Sequence, residues 1–243
     1  MNQPSPQNAT DLLKPAAGYA FLCAAVCEAV ITTACVATVM AGLFSYRWHG
    51  SWVLTCVLTA GSLYAAAALT LICLALLFRL SPLRRSGPVQ NPWQAFGFCF
   101  SVALSSFLIR SLAGRLLHSP WVAMWFYRGC GSRVTGPVLH AGKDAVVDPW
   151  GVDLGSNVVI GMGASVYSHL TPGIGAPFAK PVRIGDHALI GISTVVLPGA
   201  QIGARAVVLP NSVVTCDTVI PEGETWGGSP AVCKRPATLK RAA

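Results

Sequence analysis

Beginning at Ile184, aliphatic residues recur at every sixth position without a break: Ile184, Ile190, Val196, Ile202, Val208, Val214 and Ile220. Four residues after each of the first six stands a small side chain, in order Ala188, Thr194, Ala200, Ala206, Ser212 and Thr218. Glycine follows the aliphatic residue at Gly185, Gly191 and Gly203, and upstream Leu154, Ile160 and Val166 keep the same phase. A helix repeats every 3.6 residues and a strand every two, so neither accounts for a period of six. The period describes a solenoid of short strands, each directing one aliphatic side chain inward, with small residues fitting the corners.

The first half of the chain obeys a different rule. Between Gly18 and Phe44 the only charged side chain is Glu28, and between Trp52 and Phe78 there is none. Each run exceeds the ~20 residues that cross a bilayer as a helix. The connector Ser45–Ser51 is short enough only for a tight helical hairpin, and Tyr46, Trp48 and Trp52 suit a membrane–water boundary. A cleavable signal is disfavoured by the missing basic n-region and the length of the first run. Lys14, Arg79, Arg84 and Arg85 outnumber Arg47 of the connector, which places both termini on the cytoplasmic side. Glu28 is either a functional group by virtue of its cost in lipid or a neutral carboxyl bonded to helix neighbours such as Thr32. The stretch 93–127 is apolar but broken by Gln94, Ser101, Ser105, Ser106, Arg110, Arg115 and His118. That pattern predicts interfacial amphipathic helices, with a third crossing as the alternative.

Charge separates the halves. The net +8 arises because residues 1–130 hold 8 basic and 2 acidic side chains, whereas residues 131–243 hold 9 and 7. Positive charge concentrated in the apolar half fits anionic lipid headgroups and not a nucleic-acid footprint. Cys23, Cys27, Cys35, Cys56, Cys73 and Cys99 sit in apolar runs without His or carboxylate neighbours, and read as small buried hydrophobes.

The tandem hexads resemble the left-handed parallel β-helix of the hexapeptide-repeat acyltransferases, in which three hexads form one triangular coil. Further landmarks extend the resemblance: YSHL at Tyr167–Leu170, a Gly/Pro-rich excursion to Ala179, KPVRIGD at Lys180–Asp186, VLPGA at Val196–Ala200 and WGGSPA at Trp226–Ala231. These look like the active-site half of sugar and exopolysaccharide O-acetyltransferases. YRGCG at Tyr127–Gly131, Asp153-Leu154, His169-Leu170 and GSPA at Gly228–Ala231 also resemble the membrane-bound C-terminal region of polylysine-synthetase-type peptide synthetases. Two positions depart from the acetyltransferase pattern: Leu189 stands where an aromatic is frequent, and Ser229 where Asn is usual.

The resemblance implies a chemistry. Acyl transfer from a thioester needs a base for the attacking hydroxyl or amine, and His169, just before the excursion 171–182, occupies the family's catalytic position. Asp153 and Asp148 stand one coil earlier as candidates to orient the imidazole; Asp153 has the better local match. Gly191 is a candidate oxyanion donor. Acetyl-CoA is the implied donor, in a groove between two subunits, with Ala188, Gly191, Ala206 and Ser212 beside the pantetheine arm and Arg205, Lys234 and Arg235 toward the phosphates. Plain coil geometry explains the small residues as well, and solvated surface charge the basic ones. His187, 18 residues after His169, raises the rival of a metal-dependent β-helix hydratase like the γ-class carbonic anhydrases, but their H-x4-H pair is missing, so no metal is expected.

The expected architecture is therefore a left-handed parallel β-helix preceded by a transmembrane α-helical hairpin and an interfacial helical segment. Its expected divisions are a tail (1–17), the hairpin (18–80), a linker with interfacial helices (81–130), the β-helix (131–231) and a basic tail (232–243). The expected activity is acetyl transfer to a glycan, lipid-linked or peptide acceptor by a homotrimer, in the inner (cytoplasmic) membrane, with the β-helix on the cytoplasmic side. A non-enzymatic trimeric module organising a membrane complex is the alternative.

Overall fold

The structure is a computed structural model and describes residues 6–49, 51–80, 87–89, 91–110, 113–140, 145–171 and 177–237. Arg84 and Arg85, named above, and residues 172–176 of the excursion lie outside the described residues. Helices α1 (Pro6–His49) and α2 (Trp52–Leu80) form the hairpin. Its contact uses small side chains: Cys35 Sγ lies 3.6 Å from Thr70 Oγ1, and a Cβ on Gly42 would meet Thr59 and Ser62 at 3.2 Å. Two segments, Ala16–Phe44 and Trp52–Leu80, are long and apolar enough to cross a membrane. Helix α1 begins well ahead of its apolar run, so the expected N-terminal tail is helical from Pro6.

A short strand, β1 (Gly87–Pro88), precedes α3 (Pro92–Arg110). Asn91 starts α3 by accepting the Gln94 N–H at Oδ1 (2.8 Å), and Pro92 occupies the first helical position, where its missing N–H costs nothing. Helix α3 packs along α1, and its polar side chains Gln94, Ser101 and Ser105 are buried together with Ala95, Phe98 and Leu104. After a 3-10 turn (Ala113–His118), α4 (Pro120–Gly129) hands the chain to the solenoid. Arg128 of α4 donates to the Val134 and Thr135 carbonyls at 2.7 and 3.2 Å, and buried Tyr127 places its hydroxyl 3.3 Å from His140 Nε2. The YRGCG segment is thus a joint between helices and coil.

The solenoid strands follow in chain order: β2 (Val138–His140); β3 (Val152–Leu154), β4 (Val158–Ile160) and β5 (Ser165–Val166); β6 (His169–Leu170) and β7 (Phe178–Ala179); β8 (Val182–Ile184), β9 (Leu189–Ile190) and β10 (Val195–Val196); β11 (Gln201–Ile202), β12 (Val207–Val208) and β13 (Val213–Val214); β14 (Val219–Ile220), β15 (Thr225–Gly227) and β16 (Val232–Arg235). Three parallel sheets form the faces of a β-helix. The first aligns Leu154, Ile184, Ile202 and Ile220; the second Ile160, Ile190, Val208 and Trp226; the third Val166, Val196 and Val214. The predicted aliphatic positions are the inward ones, at most 3% exposed. Each such side chain contributes roughly 1.5–3 kcal/mol by leaving water.

At the corners, Asn157, His187, Ser193, Arg205, Asn211 and Asp217 take left-handed backbone, φ 55–58°. The glycine of the hexad has a separate reason: a Cβ on Gly185 would lie 2.6 Å from Ala204 N, and one on Gly191 2.4 Å from Pro210 N, so the next coil leaves no room. After residue 231 the chain leaves the coil path, and β16 turns back antiparallel on β15 and covers its edge.

Candidate active site

One corner is built differently. Where the third face should pass to the first, the chain leaves the coil as a hairpin, β6 and β7, paired antiparallel with His169 opposite Ala179. Strand β1 adds to the outer edge, Gly87 opposite Ala179, and Val89 N–H donates to the Pro177 carbonyl at 3.0 Å. The linker before α3 thereby braces the excursion that carries His169.

Asp148 comes from the coil below and is fully buried. Both its oxygens lie 2.8 Å from His169 Nδ1, and Oδ2 also accepts the backbone N–H groups of Ser168 at 2.7 Å and His169 at 3.2 Å. Three donors on one carboxylate offset the large cost of burying it. With the carboxylate on Nδ1, the neutral ring carries its proton there and presents Nε2 as a lone-pair acceptor. The His169 side chain remains 16% exposed. Phe98 of α3 packs edge-on against the imidazole (centroids 5.2 Å, 86°), and Tyr167 flanks it at 6.5 Å. The neighbouring corner is braced by Lys180, whose Nζ donates to Asp217 at 2.7 Å.

Of the two candidate carboxylates, the structure brings Asp148 to His169. Asp153 lies on β3 facing outward, where it accepts the Arg133 N–H at 3.0 Å and sits 4.0 Å from Arg183; Asp148 alone of the two reaches His169. Alternation decides this, because Val152 and Leu154 fill the core and force Asp153 out. Ala188, Ala206 and Ser212 are wholly buried within the coil, so their side chains are closed to a ligand; Ser212 Oγ is committed to the Leu209 carbonyl (2.7 Å) and the Gly228 N–H (3.1 Å). Gly191 is packed beneath Pro210 at the corner between the second and third faces, a different corner from that of His169. Arg205 pairs with Glu222 at the surface, whereas Lys234 and Arg235 are exposed on β16.

His187 does not stack on His169. The excursion resets the phase, and His187 occupies the corner between first and second faces, in register with Arg205. Among the described residues no three His, Cys, Asp or Glu side chains are grouped to hold a metal ion. Burial pushes the Cys130 thiol well up, and burial followed by Asp217 raises that of Cys216, which disfavours the thiolate at these two positions. A groove of about 650 Å³ crosses the outside of the first face between Arg133, Asp153, Arg183 and Glu222, apart from His169. Sequence reasoning missed Phe98. Its only signal was its place in a run where Gln94, Phe98, Ser101 and Ser105 share one helical face.

Residues 181–216 match the family described as bacterial transferase hexapeptide (six repeats), and residues 142–168 the hexapeptide repeat of succinyl-transferase. Among curated proteins, "Putative acetyltransferase YJL218W" of Saccharomyces cerevisiae is 32% identical over 141 residues, 55% of this chain and 71% of that protein. "Putative acetyltransferase YvoF" of Bacillus subtilis is 29% identical over 136 residues, 54% and 76% of the two chains. Among solved structures, the hexapeptide-repeat acetyltransferase VCA0836 of Vibrio cholerae, complexed with acetyl coenzyme A, is 20% identical and covers 72% of this chain and 88% of its own, with a TM-score of 0.38. A maltose O-acetyltransferase from Clostridium difficile 630 is 20% identical over 58% of this chain and 85% of its own, with a TM-score of 0.37.

Proposed function

Since this chain belongs to the hexapeptide-repeat acyltransferases, we propose that it is a membrane-anchored enzyme moving an acetyl group from acetyl-CoA to a hydroxyl, or an amine, of an envelope-associated glycan, lipid-linked sugar or peptide. The observation that carries the reading is the His169–Asp148 pair, an imidazole held by a buried carboxylate through Nδ1. His169 Nε2 takes the proton from the acceptor as its oxygen attacks the thioester carbon. Collapse of the tetrahedral adduct breaks the carbon–sulfur bond, and the departing thiolate takes the proton back from the imidazolium. Asp148 acts through the ring as a positioning residue. The oxyanion needs a backbone N–H other than that of Gly191, which donates to the Val208 carbonyl at 2.8 Å.

Several features support the rest. The coil's left-handed sense follows the family. Leu139, Val159, Met162, Leu189 and Ile192 expose apolar surface along the second face and its corner, which suits contact between copies in a homotrimer. Lys234 and Arg235 on β16 are available for donor phosphates, whereas Arg205 is already paired. Phe21, Leu22, Val26, Val30 and Met40 of α1 and Val57, Leu69, Ile72 and Leu76 of α2 face outward, a surface that lipid covers and water does not. Exposed Trp52, Trp93, Trp121 and Trp125 fit boundary anchors, and the basic residues near the helix ends favour an inner-membrane protein with the β-helix on the cytoplasmic side.

The test is transfer itself. Purified full-length protein with labelled acetyl-CoA and membrane fractions should yield an acetylated product, and His169→Ala should lower the rate at least ~100-fold. Absence of coenzyme A binding at millimolar donor would sink the proposal.

A further inference from the structure

Helix α3 joins the imidazole to the apolar half of the molecule. Its Phe98 edge closes one side of His169. On roughly the opposite side of the helix, Trp93, Phe96 and Phe100 stack in a row, with centroids 5.7 Å apart at each step and rings within 10° of parallel. Against this row and α1 lies a second cavity of about 650 Å³, lined by Ala16, Tyr19, Asn91, Pro92, Trp93 and Phe96. That is the size of a small-molecule site. The lining is predominantly apolar, and Asn91 Oδ1 accepts the Gln94 N–H.

Its position limits what fills it. Ala16 opens the apolar segment Ala16–Phe44, so the cavity sits at one end of that segment, and Tyr19 and Trp93 are exposed there, as aromatic residues are at a membrane boundary. The abundant apolar ligand at that depth is a hydrocarbon chain. The cavity is also near the chemistry: α3 is about one helix diameter thick, ~10 Å, and His169 lies two strand spacings, about 10 Å, from Gly87 of β1. Asn91 follows the end of β1 after two residues.

We propose that the acceptor is lipid-linked, its acyl or prenyl chain seated between α1 and the start of α3 while its polar head reaches His169 Nε2 beside Phe98. This rests on acyl transfer with His169 as base, and narrows the acceptor to an amphiphile taken directly from the membrane.

The experiment uses the purified full-length protein with labelled acetyl-CoA and two acceptor probes, a total membrane lipid extract and the water-soluble glycan fraction. Label should enter the lipid extract. Ala16→Phe, which narrows the cavity, and Trp93→Ala, which removes an exposed wall, should each raise KM for the extract roughly tenfold, the loss of about two methylene contacts. Acetyl-CoA affinity, measured alongside, reports separately on the β-helix. Label confined to the glycan fraction with His169 still required would overturn the lipid-linked acceptor and leave acyl transfer standing, and so would wild-type KM in both variants. Labelling of lipid by His169→Ala at the wild-type rate would remove the base assignment, and this proposal with it.

Discussion

Asp148 and Asp153 stand five residues apart, and burial separates their roles. A buried carboxylate must be matched by donors, and the three around Asp148 tie it to His169 and hold the ring's tautomer. We expect Asp148→Asn to lower kcat on the order of 100-fold or more with little change in KM for acetyl-CoA, because the amide no longer specifies the proton on Nδ1. Asp153→Asn should leave kcat within a few-fold, since its contacts are to Arg133 and Arg183. Steady-state kinetics on the two variants checks both expectations. As the candidate base, His169 was legible in the linear chain through the family resemblance and its place before the excursion. The choice between two nearby acids was not, because it depends on which strand positions point inward.

At the scale of elements, the hexads and the excursion answer to different forces. The coil is held by stacking so close that a Cβ on Gly191 would overlap the next turn's backbone. Gly191→Ala should therefore cost on the order of 3 kcal/mol of stability, seen as a lower thermal midpoint in detergent. The excursion is held instead by β1, and its Val89 N–H bond to Pro177 is a contact from outside the solenoid. Val89→Pro removes that donor, and should lower turnover several-fold while the thermal midpoint of the coil stays put. The period of six was plain from the residues because every coil repeats one packing problem. The third strand of the hairpin was hidden, since two residues of linker carry no periodic signal.

Across the whole molecule, an apolar helical layer and a β-helix meet through α3 and α4, and the His169 imidazole lies at that seam beside Phe98. If the exposed surfaces of α1 and α2 lie in lipid, the protein should stay with the membrane pellet through an alkaline carbonate wash. A reporter placed in the connector between them should report the side opposite the C-terminus; reporters agreeing on one side would contradict a hairpin that crosses twice. What the residue order determined alone was each kind of element: a six-residue period admits a solenoid, and uncharged runs of this length make apolar helices. Both follow from spacing along the chain, which local geometry converts directly into faces. Tertiary structure decided that Asp148 comes to His169 and that α3 sets Phe98 against the ring. Both outcomes depend on contacts between residues far apart in sequence, where packing and burial act.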